Sequence, residues 1–267
     1  MELMEDGGRF MDGNADQKGF SRLSFRSRIM RIVALVTACA GAAVSFFFFG
    51  KYAVLMFVVS GVFCALLAGF SVAVLFRKSE KRDPLISFIT VIAVVLTVIL
   101  TIQLPWKINS GSPRAYQKNM KYLSEKHFTT MLFPEDLPES AEKYSMEFHP
   151  NTFGQKSSLC VSYNCSRDVL DSYENEAQKT SVISPLTLDE AMAEDIDEKI
   201  ESQIAEGFGV NTEEMVFQLK FAFPKDIEKH SNARIYIVSC EYDKARPQTE
   251  AVMIDTDTGW VCFSKLF

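Results

Sequence analysis

The sequence predicts three transmembrane α-helices followed by an extracytoplasmic α+β domain with an antiparallel sheet. Three observations predict this fold class. The first 106 residues hold long stretches that are almost free of charge, the short loops around those stretches are rich in Lys and Arg, and the remaining 161 residues show helical and strand patterns that do not alternate. These are the signs of membrane spans, of a fixed membrane orientation and of a separate domain with an antiparallel sheet.

The first apolar stretch is too long to be one membrane span. Residues 32–76 contain Lys51 as their only charge, and a straight helix of that length would measure about 67 Å, against ~30 Å for a bilayer core. We expect Gly50 to end a first helix, because glycine accepts left-handed backbone angles. Lys51 then lies among the headgroups, where its charge is not buried. The stretch therefore predicts a helical hairpin with spans at about 30–50 and 52–76.

A third span follows a short charged loop. Residues 85–106 contain no charge and are long enough to cross a bilayer. Asp83 and Pro84 are typical of a helix start, and Trp106 is an aromatic residue of the kind that lies at membrane interfaces. The sequence thus predicts a three-helix membrane region over residues 29–106.

The basic residues of the short loops predict the orientation. The amino-terminal arm, residues 1–28, has five Lys and Arg residues and the loop at 77–82 has four, whereas the hairpin tip has Lys51 alone. Basic loops stay in the cytoplasm. The arm is therefore expected to be cytoplasmic, disordered in its first half and either an interfacial helix or a simple flank in its second. An odd number of crossings makes residues 107–267 extracytoplasmic, so the expected location is the cell membrane.

Charge and span composition limit the expected partners. Residues 107–267 carry 17 basic and 27 acidic side chains, a net charge of −10, which disfavours nucleic acid. The expected partners are membrane lipid and, beyond it, another membrane protein or a basic partner surface. Small residues at four-residue spacing in the second span, namely Gly61, Ala65 and Gly69, form a predicted helix-packing stripe. The stripe suits packing within the hairpin, dimerisation or docking on a larger complex.

The extracytoplasmic part has the patterns of one folded domain. A helix is expected from Ser112, a strand hairpin over 144–163, a second helix over 166–179, and a third helix in which Thr187 and Glu190 form a capping box. Four strands are then expected. They are the segments 215–223, 234–242, 250–255 and 259–267, and the turn Asp255–Gly259 joins the last two.

Two groups of residues are candidate sites. The third helix of this domain has an acidic face that is a possible cation or basic-partner surface, although a solvated face near a helix start explains it equally; its residues are Asp189, Glu190, Glu194, Asp197, Glu198 and Glu201. The extracytoplasmic cysteines form the second group, because four thiols in an oxidising space allow two disulfides; they are Cys160, Cys165, Cys240 and Cys262. Cys240 and Cys262 fall on predicted strands of one sheet and could be neighbours, and buried free thiols are the alternative.

The sequence contains no recognisable catalytic motif. The three histidines, His127, His149 and His230, lack the spacing of a zinc enzyme. Ser140 and Lys143 match the S-x-x-K pattern of serine nucleophiles, but the accompanying S-D-N and K-T-G elements do not occur. We therefore expect no catalytic residue, no metal and no cofactor, although a site assembled from distant residues escapes this reasoning.

The run "LFPEDLPESAEKYSMEFHPN" carries a motif of the form F-P-x-x-L-P-x-x-A followed by strands. It resembles a motif of uncharacterised membrane proteins of Gram-positive bacteria. The resemblance covers about the first third of the extracytoplasmic domain, implies a bacterial cell envelope and implies no function.

Three hypotheses of function follow. The first is a membrane protein that presents an extracytoplasmic binding or sensing domain. The second is an accessory subunit of a larger transport or secretion complex, and the third is an extracytoplasmic hydrolase with an unrecognised site. Co-purification from mild detergent distinguishes the second, and a deep pocket with perturbed carboxylates would favour the third.

Overall fold

A computed structural model describes residues 13–76, 83–128, 132–151, 156–181, 183–192, 202, 206, 221–241 and 248–267, with side chains from residue 25 onward except at 83, 240, 241 and 248. The chain divides into two compact units. One consists of Met1–Gly50 and Leu55–Leu104, and the other of Lys51–Val54 and Pro105–Phe267. Each unit is described by itself below.

The first unit is built from three long helices, α1 (Gly13–Tyr52), α2 (Leu55–Phe76) and α3 (Asp83–Gln103). Each contains a stretch long and apolar enough to cross a membrane: Phe25–Tyr52, Leu55–Phe76 and Pro84–Gln103. The predicted three spans are thereby confirmed, and these helices indicate membrane insertion. Helix α1 also extends to Gly13, so the described half of the amino-terminal arm is helical.

The connection between α1 and α2 differs from the prediction at one residue. Gly50 was expected to end the first helix, but α1 continues to Tyr52, and Ala53 adopts the left-handed conformation with φ of +57°. A glycine inside a helix costs only about 1 kcal/mol relative to alanine, so Gly50 permits a helix end without requiring one. Lys51 was predicted to lie between the two helices, but it belongs to the last turn of α1, next to the connection.

Small residues bring the three helices together. Ala38 of α1, Cys64 of α2 and Val94 of α3 form a buried cluster. A Cβ atom on Gly41 would lie 2.7 Å from Val94 Cγ1, so only glycine permits this approach. In the predicted stripe of α2, Gly61 is buried and lies against the ring of Phe46, whereas Ala65 and Gly69 are exposed on the surface of the helix bundle.

A buried arginine joins two of these helices. The side chain of Arg31 is 4% exposed and donates a hydrogen bond from Nη1 to the backbone carbonyl of Val74, at 3.0 Å. Val74 is in the last turn of α2, where backbone carbonyls lack partners within the helix. Arg31 therefore caps the carboxyl end of α2 from α1, a role that the sequence did not suggest.

The second unit contains a seven-stranded sheet in which every neighbouring pair of strands is antiparallel. The strands are β1 (Ile108–Ser110), β2 (Glu142–His149), β3 (Ser158–Asn164), β4 (Leu186–Thr187), β5 (Arg234–Glu241), β6 (Gln248–Asp255) and β7 (Trp260–Leu266). Their spatial order is β1-β2-β3-β7-β6-β5-β4. The last strand of the chain thus lies in the middle of the sheet, and both β3 and β7 are buried on both faces.

Different elements cover the two faces of the sheet. Helices α4 (Tyr116–Glu125) and α5 (Arg167–Thr180) pack on the face that carries Phe148, Tyr163 and Phe263, which we call the helical face. The short helix α6 (Leu188–Met192) and residues 221–230 contribute to the apolar cluster on the opposite face. This arrangement confirms the predicted α+β class with an antiparallel sheet.

The predictions of single elements have mixed outcomes. The hairpin of β2 and β3, helix α5, the turn between β6 and β7 and the capping box of Thr187 and Glu190 are confirmed. Strands β1 and β4 were missed, because three or two residues give no alternation to read. Residues 221–223 were predicted to end a strand but are not in one. The rest of that predicted strand lies outside the described residues.

Candidate ligand-binding pocket

The helical face of the sheet contains a pocket of about 340 Å³. This volume is within the range of small-molecule sites. Helix α5 forms one wall, the segment at 132–134 forms another, and strands β5, β6 and β7 form the floor. The lining residues are Leu132, Phe133, Pro134, Tyr173, Glu176, Ala177, Thr180, Val238, Glu250, Val252 and Phe263.

Helix α5 positions its wall through an apolar stripe. Leu170 and Ala177 are buried against the sheet, and Tyr173 lies between them at helical spacing. The ring of Tyr173 meets the ring of Phe263 edge to face, with centroids 5.2 Å apart. Its hydroxyl also accepts a hydrogen bond from the hydroxyl of Tyr163, at 3.0 Å. These contacts fix the aromatic wall before any ligand binds.

Two carboxylates belong to the pocket. Glu176 of α5 is exposed, one turn of helix from Thr180. Glu250 of β6 is largely buried and forms an ion pair with Lys265 of the neighbouring strand β7, whose ammonium also lies 4.9 Å from the ring centroid of Phe267. The pocket is therefore apolar in its walls and acidic in its charged groups.

Burial keeps the tyrosines around this face neutral. Desolvation raises the pKa of Tyr116, Tyr144 and Tyr163 far above the ordinary value for tyrosine, and it raises the pKa of Tyr122 to about 12. These hydroxyls are therefore protonated at neutral pH and do not act as bases. The hydroxyl of Tyr116, for example, donates to the backbone carbonyl of Pro134 in the pocket wall.

A second polar cluster lies at the turn between β6 and β7. His230 Nδ1 is 3.0 Å from Asp255 Oδ2 and 3.2 Å from Thr258 Oγ1, and Thr258 Oγ1 donates to Asp255 Oδ2 at 2.7 Å. The imidazole stacks on the indole of Trp260. The sequence did not point to this group, because His230 and Asp255 are 25 residues apart and only the pairing of β5 with β6 brings them together.

The cluster has the hydrogen bonds of a structural unit. Burial raises the pKa of Asp255, but hydrogen bonds from Thr258, His230 and the backbone N–H groups of Asp257 and Thr258 outweigh it, so the pKa is lowered overall. Within the described part of the chain, no hydroxyl or thiol contacts His230 Nε2 that it could activate as a nucleophile. The arrangement holds the turn and does not resemble a hydrolase site.

Only part of the predicted acidic face can be located. Asp189 and Glu190 lie in the first turn of α6, where Glu190 Oε2 accepts hydrogen bonds from the backbone N–H of Thr187, at 2.7 Å, and from its hydroxyl, at 2.8 Å. Glu190 is thus engaged in the capping box. The remaining four acidic residues of the prediction, Glu194, Asp197, Glu198 and Glu201, lie outside the described residues.

The cysteine prediction needs correction. Cys160, Cys165 and Cys262 are free thiols. Cys240 and Cys262 were considered as possible neighbours, but Cys262 is on β7 and Cys240 is on β5, and β6 separates them. Strands two places apart in a sheet are about 9.5 Å apart, which exceeds the Cα separation of a disulfide. Cys160 lies in β3 and Cys165 beyond its end, so the extended strand holds these two apart as well.

Buried thiols remain on the opposite face of the sheet. Cys160 donates a hydrogen bond from Sγ to the backbone carbonyl of Ala222, at 3.3 Å. Burial raises the pKa of Cys262, and the thiol of Cys160 raises it further. Cys262 is therefore kept as a thiol and not as a reactive thiolate.

Among the residues that the structure describes, no group of three or more His, Cys, Asp or Glu side chains is placed to hold a metal ion. The pocket itself was not predicted. Its walls come from α5, one loop and three strands that are far apart in sequence, and most of its lining residues look like ordinary core residues. The recurrence of Tyr173 and Ala177 on one helical face was the only available signal. Comparison of the chain with family models, with curated proteins and with solved structures gives no match.

Proposed function

We propose that this protein is an integral membrane protein that presents a ligand-binding or sensing domain outside the cytoplasm. The observation that carries the proposal is the pocket of about 340 Å³ on the helical face of the sheet, in a domain whose chain continues from three membrane-spanning helices. The pocket has preformed aromatic walls and few polar groups, which are the usual properties of a small-molecule site.

The orientation in this proposal rests on the loop charges. The loop at 77–82 has four basic residues, whereas Lys51 is the one basic residue at the hairpin tip. A bias of this size in short loops generally fixes the orientation. Placing that loop in the cytoplasm leaves residues 107–267 on the other side of the membrane.

The orientation is tested with epitope tags. One version of the full chain carries a tag after Phe267, and a second carries it before Met1. Protease added to spheroplasts should remove the carboxyl-terminal tag and spare the amino-terminal one, with a cytoplasmic protein as the control for intact membranes. Removal of the amino-terminal tag alone would overturn the orientation and with it the proposed location of the domain.

The ligand site is tested by filling the pocket. Ala177 is buried in the wall formed by α5, so Ala177→Leu adds three carbon atoms where a ligand would lie. Asn175→Leu introduces the same leucine side chain on the exposed side of the same helix. A library of small molecules is screened by thermal shift against the full chain in lipid nanodiscs. We expect hits that stabilise the wild type and the Asn175→Leu variant but not Ala177→Leu; hits that stabilise all three equally would contradict a site in this pocket.

A further inference from the structure

The charged groups of the pocket have one sign. Among the described residues that line it, Glu176 and Glu250 are the charged side chains, and none is Lys, Arg or His. An acidic pocket disfavours anionic ligands, because a bound anion would meet charge of the same sign. The lining therefore selects by charge as well as by size.

The two carboxylates are not equivalent. Lys265 neutralises Glu250 in an ion pair whose two side chains are only 13% and 16% exposed. Glu176 has no such ion pair within the described structure, and it is exposed on α5. The pocket thus retains about one uncompensated negative charge, and Glu176 supplies it.

The walls of the pocket suit an apolar or aromatic group that carries a positive charge. Phe133, Tyr173 and Phe263 present aromatic rings to the cavity, and aromatic faces attract cations in addition to excluding water. The volume corresponds to roughly ten water molecules at about 30 Å³ each. A compact molecule fits this volume.

We propose that the ligand of this pocket is a small organic cation, an amine or a quaternary ammonium compound with an apolar or aromatic body. The cationic group lies beside Glu176, and the apolar body contacts the pocket walls that Phe133, Tyr173 and Phe263 line. This inference rests on the proposed function, since it names the class of ligand for the same site.

The test compares compounds of one shape and different charge. Phenethylamine, the neutral 2-phenylethanol and the anionic phenylacetate are titrated by calorimetry against the full chain in nanodiscs of zwitterionic lipid, with empty nanodiscs subtracted. We expect the amine to bind, the alcohol to bind at least about fivefold more weakly and phenylacetate to show no binding.

A matched pair of variants tests whether Glu176 supplies the negative charge that attracts the amine. Glu176→Gln is expected to weaken amine binding about fivefold and to leave binding of the alcohol unchanged. Glu228→Gln is the control, because Glu228 is an exposed residue of the segment that covers the opposite face. Both positions are exposed, so neither variant is expected to affect folding.

The outcomes separate this inference from the proposed function. If the alcohol or phenylacetate binds as tightly as the amine, or if Glu176→Gln and Glu228→Gln have equal effects, the cation specificity is wrong and the binding site stands. If Ala177→Leu fails to abolish every binding event, or if no compound binds at all, the inference and the site are overturned together.

Discussion

The imidazole of His230 lies flat on the indole of Trp260, with ring centroids 4.0 Å apart and 9° between the planes. The same imidazole contacts Asp255 through Nδ1. Trp260 begins β7 and belongs to the apolar cluster on the opposite face, while His230 follows the segment that covers this cluster. The stacked pair therefore connects the segment 221–230 with β7, the central strand of the sheet.

Replacing this histidine should lower stability. His230→Ala removes the ring contact and leaves the buried carboxylate of Asp255 with one hydrogen bond fewer, so we expect a loss of about 2 kcal/mol. Thermal unfolding in detergent, followed by the near-ultraviolet circular dichroism of tryptophan, should show a melting temperature about 5 °C lower. His149→Ala is the control because His149 is 40% exposed; an equal loss in both variants would contradict a special role for the stacked pair.

The same cluster predicts how stability depends on pH. Because the pKa of Asp255 is lower in the folded protein than its ordinary value of 3.8, its carboxylate stabilises the fold fully at neutral pH. That contribution is lost as pH falls below about 4 toward the folded pKa. Asp255→Asn should be less stable than the wild type at pH 7 by about 2 kcal/mol, and the difference should shrink below pH 4. A difference that stays constant with pH, measured by thermal unfolding over pH 3–7, would contradict this assignment.

The turn beside this cluster requires a glycine. Gly259 has φ of +70°, and a Cβ atom there would lie 3.3 Å from the carbonyl oxygen of Cys165. The carbonyl of Gly259 also accepts a hydrogen bond from the backbone N–H of Cys165. Gly259→Ala should therefore cost about 1–2 kcal/mol. Gly111→Ala is the comparison, since its Cβ atom would make only an ordinary van der Waals contact at 3.7 Å. If the unfolding midpoints of the two variants fall equally, the left-handed backbone at Gly259 is not the cause of the loss.

The buried arginine of the membrane unit should matter for its stability. Arg31→Leu leaves the carbonyl of Val74 without its donor, and a hydrogen bond from a charged group is worth roughly 1.5–3 kcal/mol. We expect earlier loss of the monodisperse peak when the heated protein is analysed by size-exclusion chromatography. Arg28→Leu removes an exposed arginine from the same helix and should behave like the wild type. Equal losses would indicate that the positive charge, and not the cap, is what stabilises the bundle.

The cysteines give a chemical test of the sheet order. With β6 between Cys240 and Cys262, no disulfide can join them. Denaturation in the presence of an alkylating reagent, followed by digestion and mass spectrometry, should recover the peptides of Cys160 and Cys262 as alkylated and unlinked. A peptide that links Cys240 to Cys262 would contradict the strand order.

Local patterns were sufficient for much of the fold. The hydrophobic stretches predicted three spans because hydrocarbon thickness fixes how many apolar residues a helix needs. The capping box of Thr187 and Glu190 and the turn Asp255–Gly259 were predicted because their interactions join residues three or four positions apart. The end of α1 was misplaced at Gly50 because a glycine permits a left-handed residue without dictating where it occurs.

What the sequence by itself determined is the kind of protein this is. The sequence indicates three helices that cross a membrane and an acidic α+β domain after them. It does so through the lengths of the apolar segments, the loop charges and the periodicity, and each of these properties is local in the chain. No candidate for the ligand site followed from the same reasoning.

Only the tertiary structure decided where chemistry can occur. The pocket joins Phe133, Tyr173 and Glu250, and the stacked pair joins His230 and Trp260, across separations for which the sequence carries no periodic signal. The order of the strands could not be predicted from the sequence either. The position of β7 between β3 and β6 depends on how apolar faces match in space. Pairings between distant segments are set by packing of the whole domain, and it is this packing that created the pocket.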